Sequence, residues 1–254
     1  LSFTHYFNDA RAENHACVLA AIIQNRAPHA KSGLDVGSGT AKIANKLMEK
    51  TGINFAGLEP NLPGSKTVMG SVTVMKGFAD KMPFENETFD VVTMTSVYEH
   101  LLPRQRLASL KEVNRVLKDE GILVGQIPNM YFPIEVHSRL LFQQYLPRPL
   151  AQWYLTKFST VPWKDSGMDW FRVGARQLKK DCSKAGFVKV ELQRAKYPSQ
   201  VIPPGFRWAS FLLRLFPIGY YFCFKKERTM QAKIDTVKQQ QTHAYAVADT
   251  EKAL

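Results

Sequence analysis

The sequence has only three cysteines, Cys17, Cys182 and Cys223, widely spaced and odd in number. No CxxC pair and no Cys/His cluster occurs, so neither a disulfide framework nor a structural zinc finger is expected. The same scarcity points to a reducing compartment, the cytoplasm. Long apolar runs are missing too. The most apolar stretch, residues 205–224, is broken by Arg207, Arg214 and Pro217 and makes a poor membrane-spanning helix. Residues 1–10 are polar and aromatic, without the apolar run of a signal peptide. No internal repeat is found, which excludes a solenoid. Acidic residues are in deficit: 34 Lys and Arg against 22 Asp and Glu give a formal charge of +12. Such an excess suits nucleic acid, an anionic membrane or an acidic substrate. The basic residues are scattered rather than gathered in a compact motif, which disfavours nucleic acid as the partner.

The chain has 254 residues, 45% of them hydrophobic, enough for one good-sized core. Residues 9–26 read as a helix with Ala16, Leu19, Ala20 and Ile23 on one face, closed by Pro28. Short apolar runs then alternate with helical patterns. Strands are expected at 33–36, 53–58, 71–76, 89–95 and 122–127, with helices at 41–50 and 104–118 closed by Gly52 and Gly121. The pattern lapses over 128–173, resumes with a helix at 175–185 and a strand at 187–192, lapses again over 193–217 and ends in an apolar run, 218–224. Alternating strands and helices imply an α/β fold, a parallel sheet with helices on both faces. Ligands of such sheets bind beyond the carboxyl ends of the strands.

The residues following three strands are chemically distinctive. Leu34-Asp35-Val36-Gly37-Ser38-Gly39-Thr40-Ala41 joins a strand to a helix. Its glycines permit a sharp turn and close approach of a ligand, and amides at the helix start can meet a polar group. Glu59, followed by Pro60, ends the second strand, where an acid can accept both hydroxyls of a ribose. Asp80 follows the third strand in Gly77-Phe78-Ala79-Asp80; it can accept an adenine amino group while Phe78 or Met82 packs on the ring. A dinucleotide site would need G-x-G-x-x-G, and the sixth position here is Lys42.

In these motifs the chain resembles a class I S-adenosylmethionine-dependent methyltransferase of the type-11 group. The resemblance rests on residues 34–39, Glu59, 78–84 and Phe89-Asp90-Val91-Val92, and further on Glu99-His100-Leu101, Glu112-Val113-Asn114-Arg115 and Gly121. It implies a Rossmann-like, seven-stranded sheet with an antiparallel last strand and an acceptor lid inserted after strand five. It also implies S-adenosylmethionine as cofactor, with Asp35, Gly37, Ser38 and Gly39 on its methionine part, Glu59 and Pro60 at the ribose, Phe78, Ala79 and Asp80 at the adenine, and Ser96 near the sulfur. Ala41 departs from the family, many of whose members have a third glycine there; a slightly different loop is expected. Quinone O-methyltransferases of the superfamily carry a metal-binding Glu-x-x-Glu-His. Here Ser96 stands at the first Glu, so no metal is assigned.

The expected parts are an N-terminal helical segment (1–30), a cofactor-binding core (31–128), an aromatic acceptor lid (129–173), a C-terminal part of the core (174–225) with a second insertion (193–217), and a polar tail (226–254). Methyl transfer to a hydroxyl needs a base, and histidine is suited near neutral pH. His100, just past the fourth strand, and His137, with Glu135 to orient it, are the candidates; each can equally order its own loop. The lid weakly resembles methyltransferases of polysaccharide and glycolipid synthesis, which implies a glycan, a lipid-linked compound or another lipophilic small molecule as acceptor. Arg207, Ser210 and Arg214 share one stripe of an apolar segment, either a buried helix or an interfacial helix in peripheral contact with a membrane. An RNA methyltransferase and a non-catalytic protein of the same fold are the alternatives.

Overall fold

The computed structural model describes residues 9–135, 137–161, 164, 168, 170–195 and 217–227. The Arg207–Ser210–Arg214 stripe, Trp163, most of the second insertion and nearly all of the tail lie outside them. Helix α1 (Asp9–Arg26) leads into strand β1 (Ser32–Val36), then α2 (Lys42–Thr51), β2 (Asn54–Glu59), β3 (Lys66–Met69), β4 (Val72–Lys76) and β5 (Phe89–Thr95). There follow α3 (Pro103–Val116), β6 (Leu117–Pro128), α4 (Arg148–Phe158), α5 (Ala175–Lys184), β7 (Phe187–Ala195) and β8 (Gly219–Lys226). The strand order is β3-β4-β2-β1-β5-β6-β8-β7. β4, β2, β1, β5 and β6 run parallel, and the last strand, β8, is antiparallel to both neighbours.

The period-two alternation of the central strands builds two cores. Val91, Val124 and Cys223 face α1 and α2, where Leu19, Ile23 and Leu47 meet them. Val92, Leu123 and Phe222 face α3 and α5, packing on Leu110, Val113 and Leu178. The chain enters mid-sheet at β1, works outward to β4, then returns across β1 to β5. The switch point of strand order therefore lies between β1 and β5, where α/β sheets form their crevice.

Four expectations are corrected. The sheet has eight strands rather than seven, because β3 pairs antiparallel with β4 through a two-residue turn in which Gly70 has φ +64°. Helix α3 stops at Val116 rather than Lys118, since Leu117 pairs with Phe89 and is fully buried; Glu120 (φ +63°) and Gly121 then lie within β6. The stretch 129–173 is not wholly irregular. It holds a 3-10 turn, Gln143–Tyr145, and α4, started by Pro149 and seated only through Ala151 and Leu155. Finally, both late strands outrun their expected bounds: β7 runs to Ala195, three residues into the expected second insertion, and β8 to Lys226, one residue into the expected tail.

Candidate active site

A cavity of about 310 Å³ opens beyond the carboxyl ends of β1, β2, β4 and β5. Every residue proposed from sequence as cofactor-binding lines it: Asp35, Gly37, Ser38 and Gly39 after β1, Glu59 and Pro60 after β2, Phe78, Ala79 and Asp80 after β4, Ser96 after β5. The glycine loop is pinned to the end of β2, the amides of Gly37 and Ser38 donating to the Leu58 carbonyl at 2.8 and 3.1 Å. Gly37 has φ +69°, and a Cβ there would stand 2.6 Å from Val97 Cγ2, so only glycine fits. Ala41, at φ +56°, begins α2 from the left-handed region without a side-chain cap.

The carboxyls are held differently. Asp35 is 3% exposed and accepts the Thr93 hydroxyl at 2.6 Å. Burial pushes its carboxyl up to about 7; the Thr93 bond opposes this and the nearby charge of Glu59 adds to it. Glu59 accepts the Gly39 amide through Oε2 and the Asn61 amide through Oε1, each at 3.0 Å. Asp80 Oδ2 accepts the Gln105 amide nitrogen at 3.1 Å. Ser96, at φ +54°, donates its hydroxyl to Gln126 Oε1 at 2.8 Å, which ties it to β6. Phe78 is 59% exposed at the cavity edge, whereas Met82 is buried in the core and does not line the cavity, so only Phe78 is placed to meet a ring there.

Other motif residues are scaffold. Asp90 binds the amides of Lys31 and Ser32 and the Lys118 ammonium, each at 2.9 Å, at the entry end of β5. Burial alone would raise its carboxyl, but these partners outweigh burial and hold it at about 2. Arg115 pairs with Glu112 at 2.8 Å and donates to the carbonyls of Phe84 and Met82, clamping the loop before β5.

A second cavity, about 270 Å³, lies under the 129–173 segment. His137 lines both cavities; His100 lines the first, Glu135 and Glu99 the second. His137 Nδ1 is 2.7 Å from Glu135 Oε1, and Glu135 Oε2 also accepts the amides of His137 and Ser138 at 2.7 and 2.6 Å. Burial works to raise the Glu135 carboxyl, yet the facing His137 and these hydrogen bonds bring it below its ordinary value. An ionised Glu135 can only accept, so Nδ1 carries the hydrogen and Nε2 is the basic nitrogen. The His137 ring stacks on Trp170 at 4.8 Å and meets His100 edge-on at 5.2 Å. Glu99, 2% exposed, has neither carboxyl oxygen hydrogen-bonded, and burial raises its pKa. Ligand atoms of Glu99, His100 and His137 lie within 4.8 Å of one another, close enough for the three to share a cation.

Sequence reading missed Arg11, which reaches the first cavity from α1, and Gln105 beside Asp80. It also missed Thr93 on Asp35 and Arg106 in the second cavity. Thr93 left a signal, a hydroxyl inside the otherwise apolar β5; Arg11 and Arg106 left none, being ordinary basic positions of helices.

Residues 34–125 match the type-11 methyltransferase domain family. An uncharacterized protein of Methanocaldococcus jannaschii is 30% identical over 111 residues, 43% of this chain and 42% of that protein. The chain thus spans less than half the length of that relative. A demethylmenaquinone methyltransferase of Staphylococcus aureus is 27% identical over 169 residues, 63% of this chain and 69% of that enzyme. Among solved structures, a SAM-dependent methyltransferase from Methanosarcina mazei aligns with TM-score 0.60 at 17% identity, over 82% of this chain and 98% of that one. The 1,6-didemethyltoxoflavin-N1-methyltransferase of Burkholderia thailandensis, solved with bound 1,6-didemethyltoxoflavin and S-adenosylhomocysteine, aligns with TM-score 0.53 at 13% identity, over 84% of this chain and 78% of that one. The fold, the strand-end motifs and the matched segment agree: residues 34–125 carry a type-11 methyltransferase domain, set in the Rossmann-like sheet of class I S-adenosylmethionine-dependent methyltransferases.

Proposed function

We propose that the chain transfers the methyl group of S-adenosylmethionine to a hydroxyl of an acceptor bound under the 129–173 segment. The observation that carries this reading is the convergence of Asp35, Glu59 and Asp80, from three strand ends, on one cavity. In it Asp35 and the amides of the 37–39 loop take the amino-acid part, Glu59 and Pro60 the ribose, Phe78, Ala79 and Asp80 the adenine, and Ser96 the region of the sulfur. Two mutually repelling carboxyls, one deeply buried, are relieved by a ligand bearing an ammonium and a sulfonium. Arg11 supplies the positive charge suited to the cofactor's carboxylate.

The acceptor oxygen attacks the methyl carbon as the C–S bond breaks, its electron pair staying on sulfur, and the hydroxyl proton passes to His137. Glu135 fixes the tautomer and, with the stacked Trp170, favours the imidazolium that results. Much of the acceleration comes from holding oxygen and methyl carbon in line. His100 borders His137 from the cofactor side and positions it. No metal enters this reading; burial raises the Glu99 pKa and so works against the carboxylate that a cation would need.

A glycan, a glycolipid or another lipophilic small molecule suits the second cavity. Its walls combine the Trp170 and Phe171 rings with the Gln143 and Gln144 amides. On the outside of the same segment, Tyr131, Phe142, Tyr145 and Trp153 are about half exposed or more, a rim suited to a lipid-linked acceptor and peripheral contact with a membrane. Among the described residues no helix is long and apolar enough to cross a membrane.

Calorimetry with S-adenosylhomocysteine tests the reading. Binding on the order of micromolar is expected, weakened at least tenfold in Glu59→Ala. No binding by the unaltered chain, or binding indifferent to that change, overturns it.

A further inference from the structure

We propose that the acceptor bears an anionic oxyacid group, carboxylate or phosphate, and that Arg106 in the second cavity binds it. The inference rests on the methyltransferase reading and concerns the acceptor end of the same site.

Three guanidinium groups, Arg106, Arg148 and Arg172, line the second cavity against two carboxyls, Glu99 and Glu135. Glu135 is already matched by His137 at 2.7 Å. Arg148 donates to the Trp170 and Met168 carbonyls at 3.3 and 2.6 Å, and Arg172 to the Gln144 carbonyl at 3.2 Å. Those two brace the wall. Arg106 differs from both. It is 6% exposed, and its Nε donates to the Leu101 carbonyl at 3.2 Å. Its Nη2 is buried without a hydrogen-bond partner, and no carboxylate among the described residues lies within ion-pair distance.

Arginine stays charged at any physiological pH, so burial cannot be relieved by losing the proton. A buried charge is tolerated when it is paired. The rings of Tyr98 and Phe171 hold the guanidinium at 5.4 and 5.7 Å from their centroids, which orients the group but neutralises nothing. The planar fork of a guanidinium matches carboxylate and phosphate oxygens. Two further buried atoms of this wall, Gln143 Oε1 and Gln144 Oε1, also lack partners; both accept, and so suit hydroxyl hydrogens. An anion on Arg106, hydroxyls towards the glutamines and one hydroxyl at His137 together describe a hydroxylated acid.

The test uses the full chain saturated with S-adenosylhomocysteine and three probes: glucuronate, glucose 1-phosphate and neutral glucose. At least one acid is expected to bind tenfold or more tighter than glucose, and the tighter acid tells carboxylate from phosphate. Arg106→Met should remove that preference while S-adenosylhomocysteine affinity stays within twofold, and Arg106→Lys should retain part of it. Retained cofactor affinity shows that either variant is folded, and the comparison of probes on the unaltered chain needs no variant. Acids that bind no better than glucose, or a preference that survives Arg106→Met, overturn the proposal and leave the methyltransferase reading standing. An unaltered chain that binds no S-adenosylhomocysteine sinks that reading instead.

Discussion

The two cavities are built from different materials. In the first, functional groups sit at strand ends or in the turn that follows, and the backbone holds them: the Leu58 carbonyl pins the glycine loop, and the amides of Gly39 and Asn61 orient Glu59. Sheet register fixes where strand ends fall, and one side chain apiece, Thr93, Gln105 and Gln126, completes the hold on Asp35, Asp80 and Ser96. In the second cavity most groups come from one inserted segment and depend on one another. Glu135 holds His137, His137 stacks on Trp170, and Arg148 braces the Trp170 and Met168 carbonyls. A site of the first kind tolerates drift in surrounding sequence; a site of the second kind is set by pairwise contacts and can be retuned for a new acceptor one contact at a time.

The largest effect that would sharpen this contrast is on the pair at the junction. His137→Ala is expected to lower turnover about 10²–10⁴-fold, the usual contribution of a positioned base, with S-adenosylhomocysteine affinity unchanged. Glu135→Gln should follow it in direction, since it removes the charge that favours imidazolium. A parallel loss of cofactor affinity would mean that the junction also holds the cofactor and that the division fails. The same assay with and without EDTA should give equal rates. A rate lost to the chelator and restored by a divalent cation would turn Glu99, His100 and His137 into a metal centre.

On the cofactor side, Asp35→Ala should weaken S-adenosylmethionine binding about 10–100-fold, the worth of a charged hydrogen-bonding group, and leave acceptor binding intact. The affinity should depend on pH. A carboxyl raised to about 7 must lose its proton before it meets a cation, so binding strengthens as pH rises to about 7 and is level above it. Stability of the ligand-free chain runs the other way. Between the ordinary value of 3.8 and about 7 the folded state holds a proton that the unfolded state has released, so stability falls as pH rises through that window. Asp35→Asn cannot ionise and should melt several degrees higher than the parent at pH 8, with the gap closing towards pH 4. Melting curves at both pH values check it; a gap independent of pH removes the charge as its cause.

The sequence was legible where geometry follows from strand and turn. Ends of β1, β2, β4 and β5 are marked by Gly37, Glu59, Gly77 and Ser96, and reading just past each reached residues that line one cavity. Legibility failed where residues meet only through tertiary packing. Arg106 lies in a plain amphipathic helix, and nothing in its neighbours tells of Tyr98 and Phe171 on either side. Helix α4 was hidden for a related reason: only Ala151 and Leu155 are buried on it, too few to show a helical period amid exposed rings. The edge strand β3 had a signal, the Gly70-Ser71 pair between two β-branched runs, that sequence reading passed over.

Ala41 offers the smallest effect and the finest test of the backbone-built side. It lies at φ +56°, where an L-residue is strained by about 1–2 kcal/mol. Glycine would release that strain. It would also remove a fully buried methyl, at about 0.8 kcal/mol, and loosen the unfolded chain by about 0.4–1 kcal/mol. The terms nearly cancel, which is why alanine can stand in a left-handed turn. Ala41→Gly should therefore move the melting temperature by less than about 3 °C, as expected when a change is under roughly 1 kcal/mol, and S-adenosylhomocysteine affinity less than twofold. Ala41→Val adds a branched side chain to both a strained backbone and a filled core, and should cost several times more. A tenfold affinity change in the glycine variant would mean that the ligand reads the conformation of this residue directly, and that the loop is a tuned contact like those of the second cavity rather than a consequence of sheet register.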